Sequence, residues 1–343
     1  MKYKIPFVDY YKQHEISPVL QDISDLAKHF RRRDALYHHL GVPVGLLRGR
    51  RVLEFGPGSG HNALFTAFQR PSVYVMVDGN PVGLKRTKKL MQDTFNKSAE
   101  TEFIFVESLI QDYDSDEKFD VVIAEGLLVN QYEPEKILRH MASFVDANGV
   151  LLITCVDSVS ILGDLLRHYA GRIIGNVGVS HDFKESVSFL SSVFSGHLNA
   201  LRSASRPIGD WVLDCIIQPI TGKLFSIQQA IETVCDSFDV LGVSPHFLND
   251  WRWYKQICEE DNKFNEIMIG CYQKNLHLLL NYKSIPRERE AEANIILTRK
   301  AERIYNLVSM TDIQDDPALY LEEMVAAVSD FNEDVQNFDT EAY

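Results

Sequence analysis

Residues 51–61 read Arg51-Val52-Leu53-Glu54-Phe55-Gly56-Pro57-Gly58-Ser59-Gly60-His61. A short apolar run meets three alternating glycines, and a helical pattern, His61–Gln69, opens directly behind them. This is the pattern of a strand, a tight loop and a helix N-terminus. Glycine lets the backbone approach a ligand closely. The first turn of the helix adds unpaired N–H groups suited to a polar or anionic group.

The same rhythm continues outward. Ser72–Val77 predicts a second strand, closed by Asp78-Gly79-Asn80-Pro81, and Val82–Phe95 a helix. Phe103–Val106 and Phe119–Ala124 read as the third and fourth strands. Glu135–Val145 reads as a helix, and Asn148-Gly149 turns into a fifth strand, Val150–Cys155. Strands alternating with helices predict βαβ units and a parallel sheet. Near-continuous apolar strands agree, because parallel strands are buried on both faces. Upstream, Ile16, Val19, Leu20, Ile23, Leu26 and Phe30 recur at helical steps and predict a helix over 14–40. After Asp157 the rhythm breaks, and 158–222 reads as a mostly helical insertion. Ser226 then caps a helix carrying Ile227, Ala230, Ile231 and Val234, and Phe238–Val243 reads as a sixth strand. Beyond residue 255 the chain is helical in pattern. The expected class is α/β, with a doubly wound, mostly parallel sheet.

Charge and cysteine usage narrow the function. The net charge is −13, and residues 311–343 carry ten acids with no Lys or Arg, so the rest of the chain is near neutral. That acidic end reads as a solvated face or a frayed terminus. Nucleic-acid binding is disfavoured, because phosphate contacts need clustered Lys and Arg. The local cluster Arg31–Arg33 with Arg48, Arg50 and Arg51 reads first as a helix face. Five scattered cysteines form no CxxC pair, so neither structural zinc nor a disulfide framework is expected, and a reduced cytoplasmic setting fits. No apolar stretch approaches the roughly 20 residues of a membrane span.

Two cofactor classes use a glycine loop at this place. A dinucleotide site wants G-x-G-x-x-G. Here the third glycine comes one residue early, at Gly60, and Glu54 stands two residues before the first. This E-x-G-x-G-x-G pattern resembles the class I S-adenosylmethionine-dependent methyltransferases, over roughly 50–157 and 226–246. The resemblance implies a Rossmann-like core; it does not cover the helical insertion or the helical C-terminal region. Together with the pattern elsewhere, the chain is expected to divide into 1–50 (a helical segment capping the cofactor site), 51–157 (the donor-binding core), 158–222 (a helical insertion forming an acceptor lid), 223–254 (a return to the core) and 255–343 (a helical C-terminal region with the acidic tail). Asp78 ends the second strand 24 residues after Glu54, where an acid accepts ribose hydroxyls in either cofactor class. The resemblance further implies Glu54, Gly56, Gly58, Gly60 and Gly79 around the donor, Glu107 and Ser108 beside the adenine, and Glu125 beside the methionine moiety. S-adenosylmethionine is the expected cofactor and S-adenosylhomocysteine the product.

The acceptor is less legible. Methyl transfer is an in-line displacement that gains much from alignment, so no fixed catalytic triad is expected. The fourth strand ends in Ala124-Glu125-Gly126-Leu127, not the set used by base-methylating relatives. The insertion offers His181 and His197 as base candidates, and Arg206, Asp210 and Trp211 as acceptor contacts; His246 and Trp253 follow the sixth strand. Aromatic walls with a few polar groups suit a small ligand. The bland alternative is that the tryptophans pack the insertion and that His197 is a rim histidine. The expected activity is methyl transfer to an enclosed small molecule, at oxygen ahead of nitrogen. Protein or RNA methylation, a donor-binding sensor and a nicotinamide enzyme are the rivals. The oligomeric state is open, a homodimer included.

Overall fold

In the computed structural model, residues 6–17, 19–95, 100–178, 182–201, 206–246, 249–257, 263–281, 287–310 and 317–336 are described. Two helices come first, α1 (Pro6–His14) and α2 (Leu26–His39). The apolar run then forms β1 (Arg51–Phe55), and the alternation follows as α3 (His61–Phe68), β2 (Val73–Asp78), α4 (Pro81–Thr94), β3 (Glu102–Glu107), β4 (Phe119–Ala124), α5 (Pro134–Ala142) and β5 (Val145–Ile153). All neighbouring strands are parallel, in the order β3-β2-β1-β4-β5. The order runs outward from β1 in both directions. The carboxyl ends of β1 and β4 therefore flank the crevice where such sheets take ligands.

The alternation has a plain cause. Val52, Leu53, Phe55, Tyr74, Met76, Phe119, Val121 and Ile123 are at most 1% exposed, so the strands carry apolar residues on both faces. Downstream lie α6 (Leu162–Gly178), α7 (Phe183–Ala200), α8 (Ile208–Val212), α9 (Ile227–Val234), α10 (Phe264–Asn275), α11 (Ala291–Met310) and α12 (Pro317–Gln336). No described helix is long and apolar enough to cross a membrane.

The chain divides into two compact units, 1–38 with 42–154 and 167–223, and 39–41 with 155–166 and 224–343. The first holds the sheet, and in it α7 and α8 share a small core of Leu190, Phe194, Leu198, Val212 and Ile216. In the second, Phe225 bridges Val156, and Ser226 and Gln229 form a reciprocal capping box for α9. There the buried carboxylate of Asp157 accepts from the amides of Val159 and Ser160 and from the hydroxyl of Tyr272.

Two expectations are corrected. Residues 15–17 and 19–25 are not helical; Ile16 O, Ser17 O and Gln21 N bond instead to Asn80, Arg86 and His61 around the glycine loop. No strand forms over 238–243, because the side-chain amide of Asn265 takes the ladder's place, accepting from Val240 N (3.0 Å) and donating to Phe238 O (2.7 Å). The acidic end over 317–336 keeps the helical pattern read beyond residue 255, with Glu322, Glu323 and Glu333 on a solvated face. It forms α12, which buries Tyr320, Met324, Ala327, Phe331 and Val335 at helical spacing and packs on α11. Lys300 of α11 pairs with Asp330 and Asp334.

Two glycines test the backbone. Gly222 has φ of 80°, and a Cβ there would lie 2.4 Å from Asn130 O. Gly196 lies inside α7 with open space at its Cβ position. Gly222→Ala should cost about 2–3 kcal/mol, and Gly196→Ala should gain about 0.5–1 kcal/mol. Urea unfolding of both variants reads the signs; a neutral Gly222→Ala contradicts the turn geometry.

Candidate active site

The site is built around one carboxylate. Asp78 ends β2 and is 9% exposed. Its Oδ2 accepts from Gly58 N (3.1 Å) and its Oδ1 from Asn80 N (2.7 Å). Burial outweighs those two amides and pushes its carboxyl up to about 6. The loop can approach because Gly58 has φ of 58°, a conformation that side chains other than glycine rarely adopt. Thr87 of α4 donates to Gly58 O (2.8 Å) and so ties the loop to the next helix.

A strap formed by residues 16–17 and 19–21 lies across this loop. Asn80 Nδ2 donates to Ile16 O (3.0 Å) and Arg86 to Ser17 O (2.9 Å). The hydroxyls of Ser17 and Ser59 are 3.2 Å apart, and His61 Nδ1 lies 2.9 Å from Gln21 N. Val19 packs so closely that a Cβ on Gly58 would meet its Cγ2 at 2.4 Å. The bonds at Ile16 O, Ser17 O and Gln21 N use backbone groups that a helix would have kept for itself, which accounts for the missing helix there.

Two acids at neighbouring strand ends are occupied. Glu54 is fully buried against the hydroxyl of Tyr74, and burial pushes its carboxyl up to about 7. Glu125, just past β4, is gripped by both terminal nitrogens of Arg33 on α2 and accepts from Asn62 Nδ2 (3.1 Å). Such planar two-point pairing is what arginine does best. At the end of β3, Glu107 is exposed and stands in register with Asp78. Ser108 N donates to Asp78 O (3.2 Å), and the Ser108 hydroxyl to Leu109 O (2.9 Å). Gly79 leaves room for Leu109, and Gly56 for Leu127, each 2.6 Å from where a Cβ would sit.

A second polar cluster joins α1 to the helical insertion. Tyr11 Oη lies 2.7 Å from Asp214 Oδ1 and 2.6 Å from Gln218 Oε1. Arg206 pairs with the other oxygen of Asp214. His14 stacks on Phe183 with ring centroids 3.9 Å apart. Asp214 lies on a π-helical turn, Leu213–Ile217, that continues α8; such turns are rare and recur at functional sites. Asp210, one turn earlier, lies beside the backbone of Leu20 in the strap.

The remaining sequence candidates are dispersed. His181 lies outside the described residues. His197 is exposed and accepts from Arg167 Nε (3.0 Å). Trp211 packs against Phe194 (5.7 Å) on the small insertion core. His246 and Trp253 belong to the second unit; both are exposed, with His246 near His39 and Trp253 under Lys255. The sequence reading left Arg33, Asn62, Asn80 and Gln218 out. Only Asn80 has a local signal, as the residue before Pro81 at a helix start.

A family model described as a methyltransferase domain matches residues 13–192, more than half of the chain. The chain belongs to the class I S-adenosylmethionine-dependent methyltransferases. Among curated proteins, this methyltransferase is similar to a probable protein arginine N-methyltransferase 6.2 of Oryza sativa subsp. indica, 22% identical over 174 residues. That match covers 51% of this chain and 39% of the relative, so the chain spans well under half of the relative's length. Among solved structures it is similar to PKMT2 from Rickettsia typhi, with 20% identity and a TM-score of 0.42 over 60% of this chain and 41% of that one. It is also similar to the N-methyltransferase NodS from Bradyrhizobium japonicum, with 15% identity and a TM-score of 0.34 over 42% and 71%.

The Arg33–Glu125 pair yields a stability prediction. Arg33→Met leaves Glu125 facing buried Glu54 without its cation. Because Glu125 keeps 29% side-chain exposure, the loss should be about 2–3 kcal/mol, below the range for a fully buried pair. Arg33→Met/Glu125→Met should recover most of it in urea unfolding. A double variant no better than the single one overturns the account.

Proposed function

We propose that this methyltransferase transfers a methyl group from S-adenosylmethionine to a small-molecule acceptor, in the cytoplasm. The observation that carries the reading is the part-buried polar cluster that joins α1 to the helical insertion. Tyr11, Arg206, Asp214 and Gln218 meet in it, and Asp210 lies beside the strap that covers the loop. A part-buried cluster of this size suits a small polar acceptor better than a macromolecular surface.

The chain's own residues fit the donor. Each oxygen of Asp78 is engaged by one amide and keeps a lone pair for a ribose hydroxyl. The positive φ at Gly56, Gly58 and Gly60 bares the loop backbone. Glu107 and Ser108 at the next strand end would hold the adenine, and Glu125, fixed by Arg33 and Asn62, would hold the methionine end. Bound S-adenosylmethionine supplies an electrophilic methyl group on a sulfonium. The residues contribute orientation and exclude water, and alignment of acceptor and methyl is the main source of rate. The second reading is a protein arginine acceptor. Its support is the name of the rice relative.

Two measurements test this. Calorimetric titration with S-adenosylhomocysteine should show affinity falling as pH drops below about 6, where Asp78 gains a proton, loses its charge and turns one oxygen from acceptor to donor. Asp78→Asn should bind at least tenfold more weakly and lose that pH dependence; unchanged affinity removes Asp78 from the donor site. Incubation of the enzyme with methyl-labelled donor and fractionated cell extract should put label in the small-molecule fraction. Label confined to protein or RNA refutes the small-molecule reading.

A further inference from the structure

Within the cluster beside the strap, the two carboxylates differ in one respect. Asp214 has a cation, Arg206, and the Tyr11 hydroxyl. Asp210 has the backbone of Leu20, while its Oδ2 is buried with no hydrogen-bond partner among the described residues. Arg206 and Arg86 influence Asp210 electrostatically, but neither forms an ion pair with it: Arg206 is engaged by Asp214, and Arg86 by Ser17 O. A buried carboxylate oxygen left unmatched is costly, and the cost is removed by a donor, most fully by a charged one. Tyr10, whose ring lies 4.9 Å from that of His14, also has a buried hydroxyl without a hydrogen-bond partner among the described residues.

We infer that the acceptor is an amine and that its nitrogen is taken at Asp210 Oδ2. This rests on the small-molecule reading above and narrows it from the hydroxyl acceptor that the sequence put first. A hydroxyl offers the carboxylate one neutral donor. An ammonium offers two or more donors and the missing positive charge. The amine arrives as its ammonium ion and gives one proton to Asp210. The freed lone pair forms the new bond to the methyl carbon while the electron pair of the carbon–sulfur bond stays on sulfur. The product leaves as a methylammonium ion, and Asp210 returns its proton to solvent. Total charge is the same before and after. Asp210 is then a catalytic residue, and Tyr11, Arg206 and Gln218 are positioning residues that hold Asp214 and the turn carrying it.

The test uses matched pairs of probes on the full chain saturated with S-adenosylhomocysteine: ethanolamine and ethylene glycol, putrescine and 1,4-butanediol, phenethylamine and phenethyl alcohol, glucosamine and glucose. Ligand-observed NMR should show at least one amine binding tenfold or more tighter than its alcohol. Asp210→Asn, which keeps an acceptor for Leu20, should abolish that preference and leave S-adenosylhomocysteine affinity unchanged. With methyl-labelled donor, the same variant should lower kcat on the preferred amine by 100-fold or more without moving the KM of the donor. Alcohols binding as well as amines, no binding by any pair, or an unaltered preference in Asp210→Asn overturns the amine assignment. Label in small hydroxyl compounds overturns it too but leaves the small-molecule reading standing. Label confined to macromolecules overturns that reading itself.

Discussion

The carboxylate of Asp78 organises the first unit. Two backbone amides from different segments, Gly58 and Asn80, converge on its two oxygens. This joins the loop after β1 to the start of α4. Asn80 then passes the constraint on, since its side chain caps α4 through Val82 N and holds Ile16 O in the strap. A buried carboxylate satisfied by amides is more rigid than one solvated by water, because each bond is stronger where the local dielectric is low. The loop, the helix start and the strap therefore share one electrostatic anchor.

A second anchor stands at the end of β4. Arg33 reaches from α2 to Glu125, and Asn62 reaches from α3 to the same carboxylate. Segments before and after β1 are thus tied to the strand beside it. Both anchors lie at the carboxyl ends of parallel strands, where the polarity of the sheet leaves an open crevice. The polar cluster around Asp214 meets the strap from the other direction, through Asp210 and Leu20.

Most of the core was legible because its signals are local. β1 and β4 run over the predicted residues, and β2 and β3 differ by one residue at each end. Their apolar runs are short, uninterrupted and bounded by turn residues. β5 starts earlier, at Val145, because residues 146–149 bulge between Phe119↔Val145 and Val121↔Val150 in the pairing with β4. The failures share a different cause. Ile16, Val19, Leu20 and Ile23 have helical spacing, yet Val19 is spent on Gly58, a partner about forty residues away. Phe238–Val243 has a strand's composition, but a single asparagine, Asn265, satisfies its backbone. α12, by contrast, follows the helical pattern read beyond residue 255, burying Tyr320, Met324, Ala327 and Phe331 beneath its exposed acids. In the site, the glycines and Asp78 announce themselves by pattern. Arg33 and Gln218 do not, because their roles depend on where distant helices end up.

The two raised carboxyls have a consequence for folding itself. Glu54 at about 7 and Asp78 at about 6 both titrate well above the range of an unfolded chain. The folded protein therefore holds more protons than the unfolded one in weakly acidic solution, and folding there is accompanied by proton uptake from the buffer. By linkage, the contribution of these two groups to stability is fullest below about pH 4 and is lost as pH rises through 6 and 7. Near neutrality the fold carries two poorly solvated carboxylates at its own expense. The enthalpy of unfolding then depends on the ionisation heat of the buffer, a calorimetric signature set by two side chains at the ends of adjacent strands.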